Sequence, residues 1–303
     1  MATPRRVLPG TTYLITRRCA QRAFRLRPSA RTNQIFLYCA AVAAAKTGVR
    51  VHAICVMSNH HHLVVTDELG ALPTFLRELH RSTAKALNAS QSQWESLWSV
   101  QPTNAVHLAD PEDVLRKIAY TVANPVSAGL VAAPEEWPGI NLWGDQRLLV
   151  PRPRDYFDPR GTSPDVAELV IAAPAAALEV DDWARRLEAE ISALVGNAHR
   201  DTHALGVRFL GRQAVLATSF IARAKSYETK RGTVPKIAAI DRSTRAASIA
   251  AHRCFRGAYA TALDAWKAGD RRAVFPRGTW WMRVHHGALV HVALVALDRR
   301  GKR

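Results

Sequence analysis

Two runs rich in β-branched and aliphatic residues, VRVHAICVM and HHHLVVT, are separated only by Ser58 and Asn59. So short a connection makes them an antiparallel hairpin, and their apolar character places that hairpin in the core. Three consecutive histidines then stand inside a buried strand. Side chains alternate across a strand, so His60 and His62 share one face and His61 points to the other.

The elements around the hairpin follow from local signals. TTYLITRRC predicts a strand over about Thr11–Arg18. TNQIFLYCAAVAAAKTG predicts a helix with Thr32 or Asn33 as its cap and Gly48 as its stop. A second helix spans about Leu72–Ala89, with Pro73 in its first turn. LWSVQPTNAVHL returns to the sheet. DPEDVLRKIAYTVANPV is the clearest helix start: Asp110 caps, Pro111 fits the first turn, acids follow, and Pro125 ends it. This order describes an α+β domain, an antiparallel sheet with helices on one side. The Pro/Arg-rich VPRPRDYFDPRGTSPD reads as a boundary. Beyond it, DDWARRLEAEISALV is an amphipathic helix capped by acids. TRAASIAAHRCFRGAYATALDAWKAG is another, with Phe255, Tyr259, Ala262 and Trp266 on one stripe and Gly269 as its stop.

Charge narrows the class of partner. The formal net charge is +17, with ten Lys/Arg and no acid up to Thr66, and twenty against five from Leu205 onward. The stretch between Pro151 and Ala204 carries six against ten. A basic front and tail around an acidic middle favour an anionic partner such as nucleic acid. The four scattered cysteines form no paired motif and read as reduced residues of a cytoplasmic protein. No secretory signal is visible at the N-terminus. No apolar run reaches membrane-span length, FLYCAAVAAA and ALVHVALVAL being about half of it, so a membrane is excluded as a partner.

Two imidazoles at i and i+2 on a strand can hold adjacent positions on one metal ion. Tyr120 and Asn124, four apart, share one helix face. If that face packs over His60 and His62, an amide oxygen joins the ligand set and a phenol lies beside it. Such a set suits phosphodiester cleavage. His52, His80 and His107 read as structural or exposed, and His61 as a buried neutral histidine bonded to a backbone carbonyl. A histidine-triad hydrolase would need a further histidine at Val64. In the tail, FPRGTWWMRVHHG mixes Arg277 and Arg283 with Trp280 and Trp281; that composition suits base stacking on single strands or core packing of the tryptophans equally.

VMSNHHHLVV together with IAYTVANPVSAGLV resembles the paired signature of the single-tyrosine HUH transposases, the IS200-like group. The resemblance is strongest to its REP-associated tyrosine transposase branch, with usual patterns MPNHVHLLV and YIxxNPVRAGLV. ESLWS, at Glu95 to Ser99, stands where that branch has Gly-x-Leu-Trp-Gln, and PEEWPGINLW resembles the sequel to its tyrosine helix. The matching motifs run from Thr12 to Trp143. His61 replaces the usual hydrophobic residue between the histidines, and Ser58 the usual proline.

The resemblance implies a ferredoxin-like catalytic domain over 1–145, a Pro/Arg-rich linker over 146–165, and a mainly helical basic extension over 166–303 that binds DNA or packs. It implies Mg²⁺ or Mn²⁺ on His60 and His62 with Asn124 as third ligand. It implies attack by Tyr120 on single-stranded DNA, giving a 5′-phosphotyrosine and a free 3′-OH. Hairpins of REP-like inverted repeats would be the substrate, gripped by Arg17, Arg18, Arg22, Arg25 and Arg27, with Lys117 as a helper of the phenol. Members of the family occur as homodimers and as monomers. The competing reading is a domesticated relative that holds hairpin DNA or RNA without cutting.

Overall fold

The computed structural model describes residues 4–178, 181–225 and 236–291. Its centre is a βαββαβ unit: β1 (Thr11–Arg18), α1 (Ala30–Thr47), β2 (Val49–Met57), β3 (His60–Asp67), α2 (Leu72–Ser90) and β4 (Asn104–Leu108). These strands lie in the order β2-β3-β1-β4 and every neighbouring pair is antiparallel. That is the ferredoxin-like arrangement. It is followed by α3 (Pro111–Ser127), β5 (Asn141–Trp143), β6 (Gln146–Pro151), β7 (Val166–Ile171), α4 (Trp183–Ala204), α5 (Arg212–Ala217), β8 (Ile237–Ala238), α6 (Arg242–Lys267) and α7 (Trp281–His286).

The later strands extend both edges of the sheet. β5 pairs with β2 around Ile54, and β7 runs parallel to β2 at Val51. β6 pairs antiparallel with β7 along its whole length, although it falls within the Pro/Arg-rich stretch. β8 lies parallel to β4 at His107 and Leu108. The sheet is therefore mixed, with an antiparallel centre and parallel additions. The apolar stretch ALVHVALVAL continues past His291, outside the described residues.

Helices cover both faces of the sheet, not one. On the first face α1 and α2 bury Ile35, Phe36, Leu79 and Leu87 against Ile15, Leu63 and Val65. On the second, α3 buries Val114, Ile118 and Val122 against Leu14, Val64 and Val106. The cause lies in β2 and β3, whose odd and even positions are both apolar, so each face needs a cover. α4 then lies along α3: Leu187 joins the second core, and Arg186 bonds Glu112 at 2.7 Å.

Local chemistry sets the element ends. α1 starts at Ala30 because Ser29, not Thr32 or Asn33, is the cap, its hydroxyl accepting from the Thr32 amide at 3.0 Å. Asp110 caps α3 as expected, accepting from the Glu112 amide at 2.8 Å. Pro125 does not end α3; it sits inside the last turn, and the helix closes at Ser127. No acid side chain caps α4: Asp182 is left-handed and its carboxylate accepts no helix amide, pairing instead with the Arg185 guanidinium at 2.8 Å. The expected α6 stripe holds, with Phe255 and Ala262 buried and Tyr259 and Trp266 packed around Phe275.

Gly48 stops α1 at φ +68°, a conformation costly for residues with a Cβ. A Cβ there would also come within 2.9 Å of the Leu69 side chain, which is exposed and able to yield. Gly48→Ala should lower stability by about 1–2 kcal/mol from backbone strain, read as a drop in urea midpoint at unchanged m-value.

Candidate active site

The register of β3 builds the site. His62 stands opposite Thr16 of β1 and Cys55 of β2; His60 stands opposite Arg18 and Met57. His60 and His62 share a face, their ring centroids 4.9 Å apart and their planes nearly perpendicular. α3 covers this face, and the Tyr120 ring lies 5.3 Å from the His62 ring, edge to face. The expected convergence of imidazole pair and phenol is therefore present within one chain. Tyr120 is 39% exposed, whereas Asn124, one turn further on, is buried. Asn141 of β5 pins the helix by donating to the Val122 carbonyl at 3.0 Å.

Both imidazoles are held through Nδ1. His60 Nδ1 donates to Asn59 Oδ1 at 2.7 Å, which places the lone pair on Nε2. His62 Nδ1 shares a 2.9 Å hydrogen bond with the Thr16 hydroxyl. His62 Nε2 is buried and has no hydrogen-bond partner. An orphaned buried ring nitrogen costs stability unless something fills the position; in the tautomer whose Nδ1 donates to Thr16, Nε2 offers its lone pair to a proton donor or a cation. Burial first, then the neighbouring His60, pushes His62 well below the usual imidazole range. It is neutral at pH 7, the form that ligates. Thr16 and Asn59 thus fix the orientation of the two imidazoles. Neither stands out in the sequence, because the pairing of β1 with β3 is a long-range property.

On the opposite face His61 does not meet a backbone carbonyl. Its Nε2 lies 3.0 Å from Nε2 of His80 on α2, and its ring packs edge-on against Phe36 and Trp98. The Trp98 indole donates to the His80 carbonyl at 2.8 Å. At 3.0 Å one imidazole donates and the other accepts, which requires the acceptor to be neutral. Burial pushes both well below the usual range; His80 lowers His61 further, and the Arg17 charge lowers both. His52 is also structural, bonded to the Ala172 carbonyl and the Thr66 hydroxyl, and burial pushes it down to about 4.

The arginines do not form one surface. Arg18 is exposed at the end of β1, across from His60, and Arg22 is half-buried in the turn that follows. Arg25 is buried, its guanidinium donating to Gln91 and Asn88 of the α2 end at 2.6 and 2.9 Å. Arg27 donates to the carbonyls of Leu216 and Thr218, at the end of α5. Arg17 lies on the His61 face, bonded to Thr103 and stacked 5.5 Å from the Trp98 ring. Alternation along β1 places Arg17, side chains at the α2 end hold Arg25, and carbonyls at the α5 end hold Arg27; a run of arginines does not reveal this. Lys117 does reach the site, its Nζ 5.6 Å from the centre of the Tyr120 ring.

No protein-family model matches the chain, and no curated protein matches it. Two solved structures are similar over part of it. A REP-associated tyrosine transposase bound to a REP hairpin is 18% identical, covering 46% of this chain and 81% of that one, with a TM-score of 0.39. A candidate transposase from Deinococcus radiodurans R1 is 16% identical, covering 35% and 85%, with a TM-score of 0.28. Both likenesses are partial, and neither assigns a role to a residue of this chain. Among the described residues no helix is long and apolar enough to cross a membrane.

Proposed function

We propose that the protein is a metal-dependent transposase-type endonuclease that cuts and rejoins single-stranded hairpin DNA through a phosphotyrosine intermediate. The observation that carries this reading is the orphaned Nε2 of His62, beside a half-exposed phenol on an otherwise buried face. His60 and His62 would hold Mg²⁺ or Mn²⁺, and Asn124, buried one turn from Tyr120, would supply an amide oxygen. Such an ion, when bound, supplies charge that polarises the scissile phosphate.

Tyr120 is the nucleophile. Its Oη–P bond forms as the P–O3′ bond breaks, leaving a 5′-phosphotyrosine, and the phenol proton ends on the departing 3′ oxygen. A phenol ordinarily ionises near pH 10, so a cation close to the ring favours the attacking form; Lys117 is placed for that. Attack of a 3′-OH on the phosphotyrosine reverses the step and completes strand transfer without ATP. Arg18, exposed and opposite His60 at the end of β1, and Arg22, in the turn that follows, are the members of the arginine set best placed to grip the strand.

Incubation of the protein with 5′- and 3′-labelled single-stranded hairpin DNA tests the reading. Mn²⁺ should produce a denaturation-resistant adduct carrying only the label 3′ of the cut, and EDTA should abolish it. Tight hairpin binding without any adduct would favour the non-cutting relative instead. Thr16→Val removes the hydroxyl that orients His62 while leaving the strand intact. It should weaken Mn²⁺ binding about tenfold, read by calorimetric titration, with little change in thermal midpoint.

A further inference from the structure

At the other end of β4 from the histidine pair lies a unit built from α6, α7 and the segments around them. It is tied to the sheet by β8, and to the N-terminal segment by the Val7 amide donating to the Gly278 carbonyl and by pairing of Arg6 with Thr279. Phe275, Met282, Ala262 and Ala288 form its own small core. Its outer surface is unusual. Trp281 is 58% exposed, and its ring lies 3.9 Å from that of His285, one turn on, with Trp280 5.5 Å from the same imidazole. Val284 and Leu289 are also exposed beside them. Arg277 and Arg283 are exposed within this same segment, and from Arg242 to His291 the chain has nine Lys/Arg against two acids.

We infer that the Trp281–His285 face is a second nucleic-acid site, a stacking platform for single-stranded DNA outside the tyrosine site. A half-exposed tryptophan braced by a second ring offers a flat face to a base, and the exposed Arg277 and Arg283 of the same segment supply cationic charge for the strand's phosphates. Self-association is disfavoured by charge: a two-fold contact would set Arg277 and Arg283 against their own copies. The choice of DNA as the strand rests on the proposed function; the stacking geometry does not. The packing of α6 and α7 against a separate core makes the platform rigid, which limits the ordering cost of binding.

Fluorescence anisotropy of the full-length chain with labelled dT20, which forms no hairpin, tests this. Trp281→Ala should weaken dT20 binding about tenfold and leave a duplex of equal length unaffected. Arg277→Ala with Arg283→Ala should reduce the slope of log affinity against log salt by about 1.4. The inference is overturned if Trp281→Ala binds dT20 like the wild type, or loses duplex binding equally. It is also overturned if rU20 is strongly preferred over dT20. A mass shift abolished by Trp281→Ala with no change in dT20 binding would assign the face to a second copy, and overturn it too. Tyr120→Phe should bind dT20 normally. An inactive protein with an intact platform would thus count against the proposed function alone, and normal adduct formation with an indifferent Trp281→Ala against the platform alone.

Discussion

Tyr120→Phe is expected to bind hairpin DNA within about twofold of the wild type while losing strand cleavage by about 10³-fold or more. The ring keeps its edge-to-face contact with His62, 5.3 Å between centroids, because that contact uses carbon edges and not the hydroxyl. Tyr120 is 39% exposed, so replacing it by phenylalanine should leave the fold unaffected. What disappears is the oxygen that, in the proposed reaction, forms the covalent bond to phosphorus. The comparison is made with end-labelled hairpin DNA in Mn²⁺, scoring the denaturation-resistant adduct and anisotropy in parallel. Cleavage surviving in Tyr120→Phe would mean that water, and not the phenol, is the nucleophile.

A second large effect is expected from acid. His52, His61 and His80 are buried and neutral, with folded proton affinities held down by burial. In the unfolded chain each titrates near pH 6.5. Below that value the unfolded state therefore binds protons that the folded state refuses, and stability falls as pH falls. Each such group costs about 1.4 kcal/mol per pH unit, so three give a limb of about 4 kcal/mol per unit between roughly pH 6 and pH 5. From pH 7.5 to pH 5 the loss is about 6 kcal/mol, comparable with the whole stability of an ordinary domain. His62 is displaced in the same sense and steepens the limb when the cation is chelated. Urea midpoints measured across this range should collapse toward pH 5. His61→Leu with His80→Leu replaces a hydrogen-bonded pair by apolar groups of similar size, which is close to neutral. The double variant should be near wild type at pH 7.5 and markedly more stable at pH 5. A flat profile in the wild type would show that these imidazoles take up protons while folded.

The hairpin and the α3 start were legible in the sequence because their determinants are local: a two-residue turn between β-branched runs, and Asp110-Pro111 followed by acids. The pairing of His60 with His62 followed from strand alternation alone. Tyr120 and Asn124 became visible only as a helical pair at the right distance from them. The parallel additions of β7 and β8 had no such signature, since their partners lie over a hundred residues away. The same is true of His80, which meets His61 through packing of α2 on β3, and of the carbonyls that capture Arg27. Ser29 was within reach as a cap, but Thr32 and Asn33 compete for that role on composition alone. Pro125 stays within its helix because α3 is held by the sheet beneath it, α4 alongside and Asn141 at Val122. Tertiary contacts there outweigh a local stop signal.

The account depends on a divalent cation shared by His60 and His62. Pulsed electron paramagnetic resonance of Mn²⁺ bound to the full-length protein reads this directly through nitrogen couplings. The expected spectrum contains two imidazole nitrogens in the wild type, one in His62→Ala, and two in His61→Leu. A spectrum without imidazole nitrogen, or one that His62→Ala leaves unchanged, would contradict it.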